Sequence, residues 1–170
     1  MPKLALLSTL LLLAYAACWA LPTDNKQLIH INSERLVVHY NQHKATYEKH
    51  VTLQQGSRHL SGDRLVLKQN KQSQVQHITL YGNPAKGHYQ QDVGGPITYA
   101  RAKEMIYQPL IQYISFKDDA WVNQGGNIFK GPLITYNLED KTVTTPTAQT
   151  GNNEITLQPY DTIKVKDVKR

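Results

Sequence analysis

Apolar and polar residues alternate with a period of two through most of the chain, in short runs closed by polar residues or glycine. Ile29 and Ile31 share one parity, Leu36, Val38 and Tyr40 resume the period of two beyond a break at Asn32-Ser33, and Tyr47, Val51 and Leu53 form a third run. Leu65 with Leu67, Ile78 with Leu80, and Met105 with Tyr107 repeat the pattern before Tyr113, Phe116, Trp121, Val122, Ile128, Ile134 and Tyr136. Successive side chains of a strand point to opposite faces, so such runs predict strands with one apolar face. The breaks are informative too. Asn32-Ser33, Asn41 to Lys44, Gln55-Gly56, the polar tip Lys68 to Gln76, Gly82-Asn83-Pro84 and the loop Gln90 to Pro96 all predict turns, whereas Gly62 inside a strand pattern predicts a bulge or bend. Beyond Gly151, the pairs Ile155 with Leu157 and Ile163 with Val165 predict two last short strands. Strands spaced in this way suggest an all-β sandwich or barrel. Only Ala100 to Tyr107, where AKEM permits a helical turn, raises a competing assignment.

An internal repeat settles that assignment. VTLQQGSRHLSGDRLVL, Val51 to Leu67, recurs as AWVNQGGNIFKGPLITY, Ala120 to Tyr136, at an offset of 69 positions (120 − 51). The same offset lays Gly56 on Gly125, Gly62 on Gly131, Tyr47 on Phe116, Leu36 on Met105 and Val38 on Tyr107, so Ala100 to Tyr107 corresponds to a strand. The chain reads as one β unit written twice, about 28–89 and 97–158. Each copy alone leaves a sheet face bare, and this predicts one domain over 21–170 rather than two.

The first twenty residues read as a secretory signal: Lys3, an apolar run from Leu4 to Leu13, and small residues up to Ala20. Two other readings are retention as an anchor and lipidation at Cys18. Cys18 is the only cysteine, so a chain beginning at Leu21 has no disulfide, thiolate nucleophile or cysteine metal site. It also keeps 150 residues (170 less 20), the size of one ordinary domain. The net charge of +6 favours anionic partners, but the bases are spread along the chain, which argues against nucleic acid.

Catalytic patterns are absent from the sequence as motifs. Its seven histidines include the pair His39 and His43. Four residues of strand separate them by about 13 Å, too far to share one zinc. The adjacent carboxylates Asp118-Asp119 and Glu139-Asp140 would point to opposite strand faces, and no serine sits in a nucleophile elbow. The reading is a non-enzyme with no cofactor and no metal.

QLIHINSE (Gln27 to Glu34), VTLQQG (Val51 to Gly56), SGDRLVL (Ser61 to Leu67) and YGNPA (Tyr81 to Ala85), with the echoes AWVNQGG and KGPLITY, resemble the LptA/OstA family of periplasmic lipopolysaccharide-transport proteins. The resemblance runs through the chain after the signal; Pro132, where the first copy has Asp63, and the stretch around Gly87-His88 depart from it. It implies a twisted, open β-jellyroll of antiparallel strands: two sheets with an apolar interior groove that takes lipopolysaccharide acyl chains. It further implies end-to-end stacking with an LptC-like inner-membrane protein and with an LptD-like outer-membrane protein. The open edges of the first strand, Leu28 to Ile31, and of the last, Ile155 to Val165, are the expected docking edges for head-to-tail association with other copies by strand addition. The expected groove residues are those of inward parity: Ile29, Ile31, Leu36, Val38, Tyr47, Val51, Leu53, Leu65, Leu67, Ile78, Leu80, Met105, Tyr107 and Phe116. The alternatives are an LptC-like anchored relay protein of the same fold, and a secreted carbohydrate-binding β module with outward tyrosines.

Overall fold

The computed structural model describes residues 24–90, 94–145 and 152–159. The signal segment, Cys18, Ile163 and Val165 lie outside them. Among the described residues ten strands form in chain order: β1 (His30–Asn32), β2 (Arg35–His39), β3 (Lys44–Gln55), β4 (Arg58–Gln69), β5 (Val75–Gln90), β6 (Ile97–Gln108), β7 (Tyr113–Gln124), β8 (Asn127–Asn137), β9 (Thr142–Thr144) and β10 (Glu154–Thr156). Their order is β1-β3-β4-β5-β6-β7-β8-β10, with β2 also on β3 and β9 also on β8. Every pairing is antiparallel.

Each of the five long pairings breaks register in mid-strand, at Glu48/Val51, Ser61/Arg64, Tyr81/Ala85, Arg101/Glu104 and Lys117/Ala120. Neighbouring interruptions line up across the sheet, so every long strand bends there and serves two layers. β1 and β10 pair with the 51–55 side of β3 and the 128–130 side of β8. β2 and β9 pair on the other side of the bends. One hydrogen-bonded sheet is thus folded along a line of bulges into the two facing layers of an open jellyroll.

Backbone geometry carries the repeat. Lys49 and His50 (φ 64° and 48°) correspond to Asp118 and Asp119 (58° and 57°), His43 (47°) to Gln112 (52°), and Gly56 (58°) to Gly125 (57°). Each pair is 69 positions apart, and each holds the left-handed region that most side chains avoid. Ala100 to Tyr107 lies within β6, as the repeat requires.

Two expectations need correction. Gly82-Asn83-Pro84 does not turn the chain back; it lies inside β5, at the Tyr81/Ala85 interruption. A proline without an N–H and a glycine without a side chain are tolerated where the ladder is already broken. Of the last two strands expected, the first forms as β10 but ends before Leu157, which is 66% exposed, and the second, at Ile163 and Val165, falls outside the described residues. β9 was not expected: it is a three-residue strand with a single half-buried side chain, too short to show a period.

The apolar faces of the two layers meet. Leu65, Ile78, Leu80, Met105, Ile134 and Val51 are the largest fully buried side chains. Each aliphatic side chain buried to that extent contributes about 1.5–3 kcal/mol.

Candidate functional site: the groove between the two layers

Residues directly opposite in an antiparallel ladder share a face, so the registers trace rows of side chains across the sheet. One inner row runs Ile31, Leu53, Leu60, Gly87, Ala100, Val122, Phe129, Ile155. A second runs Leu36, Tyr47, Leu65, Leu80, Met105, Phe116, Ile134. A third runs Val38, Ala45, Leu67, Ile78, Tyr107, Ile114, Tyr136, Val143. Along the bends the inner face narrows to Val51, Ala85, Ala102 and Ala120, all buried.

The expected groove residues thus fall on one face. Val51, Leu53, Leu65, Ile78, Leu80, Met105, Tyr107 and Phe116 are buried, whereas Ile29, Ile31, Tyr47 and Leu67 are half-buried against them. Leu36 and Val38 keep the inner face by register but stand 53% and 42% exposed, because among the described residues β2 has a neighbour on one side only. Ile155, at the opposite end, is 54% exposed. Two apolar rows therefore run out at the β2 edge and the third at the β10 edge. Between the layers a cavity of about 30 Å³ remains, bordered by Leu53, Leu60, Met105, Ile114 and Phe116 among others.

The groove has a polar margin that parity did not reveal. On the strand ends farthest from the bends, Arg58 of β4 reaches Tyr107 of β6: Nη1 donates to the Tyr107 hydroxyl at 2.8 Å and to Gln55 Oε1 at 3.2 Å. The guanidinium also lies 5.2 Å from the Tyr107 ring centre. Beside it, Tyr89 of β5 and Tyr136 of β8 face each other across the layers. Arg58, Gln55, Thr98, Tyr89 and Tyr136 are all buried. Burial pushes the Tyr89 phenol far above the ordinary tyrosine range. Burial also raises Tyr107, against the opposing pull of the Arg58 charge.

The segment before β1 covers this margin. Asp24 accepts from the Ser57 backbone N–H at 2.9 Å, and its other oxygen lies 2.6 Å from Ser57 Oγ. Gln55 Nε2 donates to the Gln27 carbonyl at 3.1 Å.

The expected set also missed inner residues that the repeat marks directly. Ala120, Val122, Ile134 and Tyr136 are the counterparts of Val51, Leu53, Leu65 and Leu67, and all four are buried. Arg58 carries no such signal, since a charged residue between a turn and a strand reads as solvated.

The outer faces are polar. His59 stacks on His88 at 4.8 Å, Arg64 lies over Tyr81 and Arg101 over Trp121, and Lys103 pairs with Asp119 at 2.7 Å. Among the described residues no cluster of three metal-ligating side chains forms. No helix there is long and apolar enough to cross a membrane.

The chain is similar to known proteins in sequence and in fold. Residues 30–142 match the family described as LptA/(LptD N-terminal domain) LPS transport protein. The lipopolysaccharide export system protein LptH of Pseudomonas aeruginosa is 28% identical over 151 residues, covering 89% of this chain and 86% of that protein. The corresponding LptA of Escherichia coli K12 is 27% identical over 136 residues, covering 79% and 73%. A crystal structure of LptH, titled the LptA homologous periplasmic component of the lipopolysaccharide transport device of P. aeruginosa, superposes with a TM-score of 0.75 at 26% identity, over 81% of this chain and all of that one.

Proposed function

The chain belongs to the LptA/(LptD N-terminal domain) family of lipopolysaccharide transport proteins, and from that premise we propose that it is a periplasmic bridge that passes lipopolysaccharide from an inner-membrane complex to an outer-membrane assembly complex. The acyl chains travel between the two layers, and the protein performs transfer without bond chemistry. The observation that carries this reading is that apolar rows cross the sheet and reach its edges: two of them emerge exposed at Leu36 and Val38 on β2, and the third emerges exposed at Ile155 on β10. A closed core would end its apolar face before its edges, whereas a track must continue into the next domain.

The edges suit such continuation. β1 and β2 hydrogen-bond only to β3, and β9 and β10 only to β8, among the described residues. An unpaired strand edge is a template for another strand. We assign the β1–β2 edge and the β10 edge to head-to-tail contacts, with further copies and with LptC-like and LptD-like partners.

Ligand entry requires the layers to part. Pockets that hold small molecules measure roughly 300–1,000 Å³, against the cavity of about 30 Å³ seen here. The reading is tested by placing a photo-crosslinking residue at Ile29, Ile31 or Tyr107 and at outward Lys68. Capture of lipopolysaccharide at the first three and not at Lys68 supports the groove. Equal capture at all four overturns it.

A further inference from the structure

We propose that Arg58, with the hydroxyls of Tyr89 and Tyr107, forms a polar rung at the mouth of the groove that binds acceptor oxygens at the junction between the acyl chains and the headgroup of an amphiphile. This rests on the proposed lipid-carrying groove and adds a determinant of which amphiphiles it holds and in what orientation.

Arg58 is 8% exposed and sits where the two layers meet. A buried charge is normally both paired and hydrogen-bonded on every donor. Here Nη1 is used by Gln55 and Tyr107, but Nε, fully buried, has no hydrogen-bond partner. Asp24 supplies the opposite charge at 3.8 Å from Nε, beyond hydrogen-bond reach, while its two oxygens serve Ser57. The guanidinium is therefore neutralised yet retains a donor. The Tyr89 hydroxyl is also buried and has no hydrogen-bond partner, although Tyr136 and Thr98 lie beside it.

An N–H on one side and an O–H on the other call for an acceptor. Alkyl chains offer none; an ester, amide or phosphate oxygen does. The placement fixes the orientation. Tails would lie toward the apolar rows and the small residues Val51, Ala85, Ala102 and Ala120 at the bends, and the polar junction would meet Arg58 at the opposite margin.

The test is displacement of N-phenyl-1-naphthylamine, a dye without an acceptor oxygen, by dodecyl phosphate, methyl laurate and dodecane. In Arg58→Met, affinity for dodecyl phosphate and methyl laurate falls about tenfold while dodecane is unchanged. The larger of the two losses identifies phosphate or ester as the preferred junction. Tyr89→Phe, which removes one oxygen and no packing, gives a smaller loss with the same selectivity and covers the case in which Arg58→Met fails to fold. Equal losses for all three compounds, or none, show that Arg58 only staples the layers, and the rung is overturned. A wild-type chain that binds neither the dye nor lipopolysaccharide overturns the groove itself.

Discussion

Tyr89 and Tyr136 lie on strands that are not neighbours in the sheet, yet their rings approach to 6.0 Å between centres at an interplanar angle of 52°. The contact exists because the bends bring the free ends of the two layers together. It gives the fold an alkaline limit. The Tyr89 phenol is pushed up chiefly by burial, so the unfolded chain releases its proton near pH 10 while the folded chain keeps it. Tyr107 shifts in the same direction. A raised folded pKa means the contribution is fully present below pH 10 and is lost as pH rises above it. Urea midpoints measured from pH 8 to 11.5 should be flat at first and then fall. Tyr89→Phe should lessen the fall by up to about 1.4 kcal/mol per pH unit.

The two hairpin glycines separate backbone strain from contact. Gly56 and Gly125 have the same left-handed φ, 58° and 57°. A Cβ on Gly56 would come within 2.2 Å of Asp24 Oδ1, whereas one on Gly125 meets only Pro96, at 3.4 Å. Gly125→Ala should cost about 1 kcal/mol of strain. Gly56→Ala should cost more, because it also displaces Asp24 from Ser57. Chemical denaturation of the two variants side by side checks the order, and equal losses would remove Asp24 from its role at the groove margin.

Stability and transport should separate along a single inner row. Leu65 is fully buried, and Leu65→Ala should cost about 2–5 kcal/mol. Leu36, two strands away in the same row, is 53% exposed. Leu36→Asp should leave the thermal midpoint within a few degrees of wild type but weaken self-association and lipopolysaccharide capture. Sedimentation velocity with site-specific crosslinking reads both effects, and an unaffected Leu36→Asp would count against the edge assignment.

The bends should resist enlargement. Ala85 and Ala102 face each other in register and are fully buried. Ala102→Leu adds volume where the layers are closest to their fold line and should cost about 1–3 kcal/mol. Differential scanning calorimetry of this variant provides the check. A neutral result would mean that the space near the bends is already loose.

Most of the fold was legible because period two and the repeat speak to the same faces. The repeat overrode the helical look of Ala100 to Tyr107, and it marked Val122 and Ile134 as inner residues even where alternation was weak. Gly82-Asn83-Pro84 misled because the same residue types that reverse a chain also suit a break in the ladder, and only the pairing of Tyr81 and Ala85 with β6 tells them apart. Alternation assigned Leu36 and Val38 to the right face but not their exposure, which depends on how many neighbours β2 has. Arg58 was not legible: its burial comes from Tyr107, forty-nine positions away, and from Asp24.

The exposed ends of the apolar rows turn the molecule into a unit of length. Eight strands stand side by side from β1 to β10, and neighbouring strands are spaced by about 4.8 Å, so one chain measures about 34 Å along the rows. Under the proposed bridging role, any wider gap between membranes is spanned by a whole number of copies. The spacing between the two membranes would then set the stoichiometry of the assembly, and a repeat inserted into this chain would change the count rather than the mechanism.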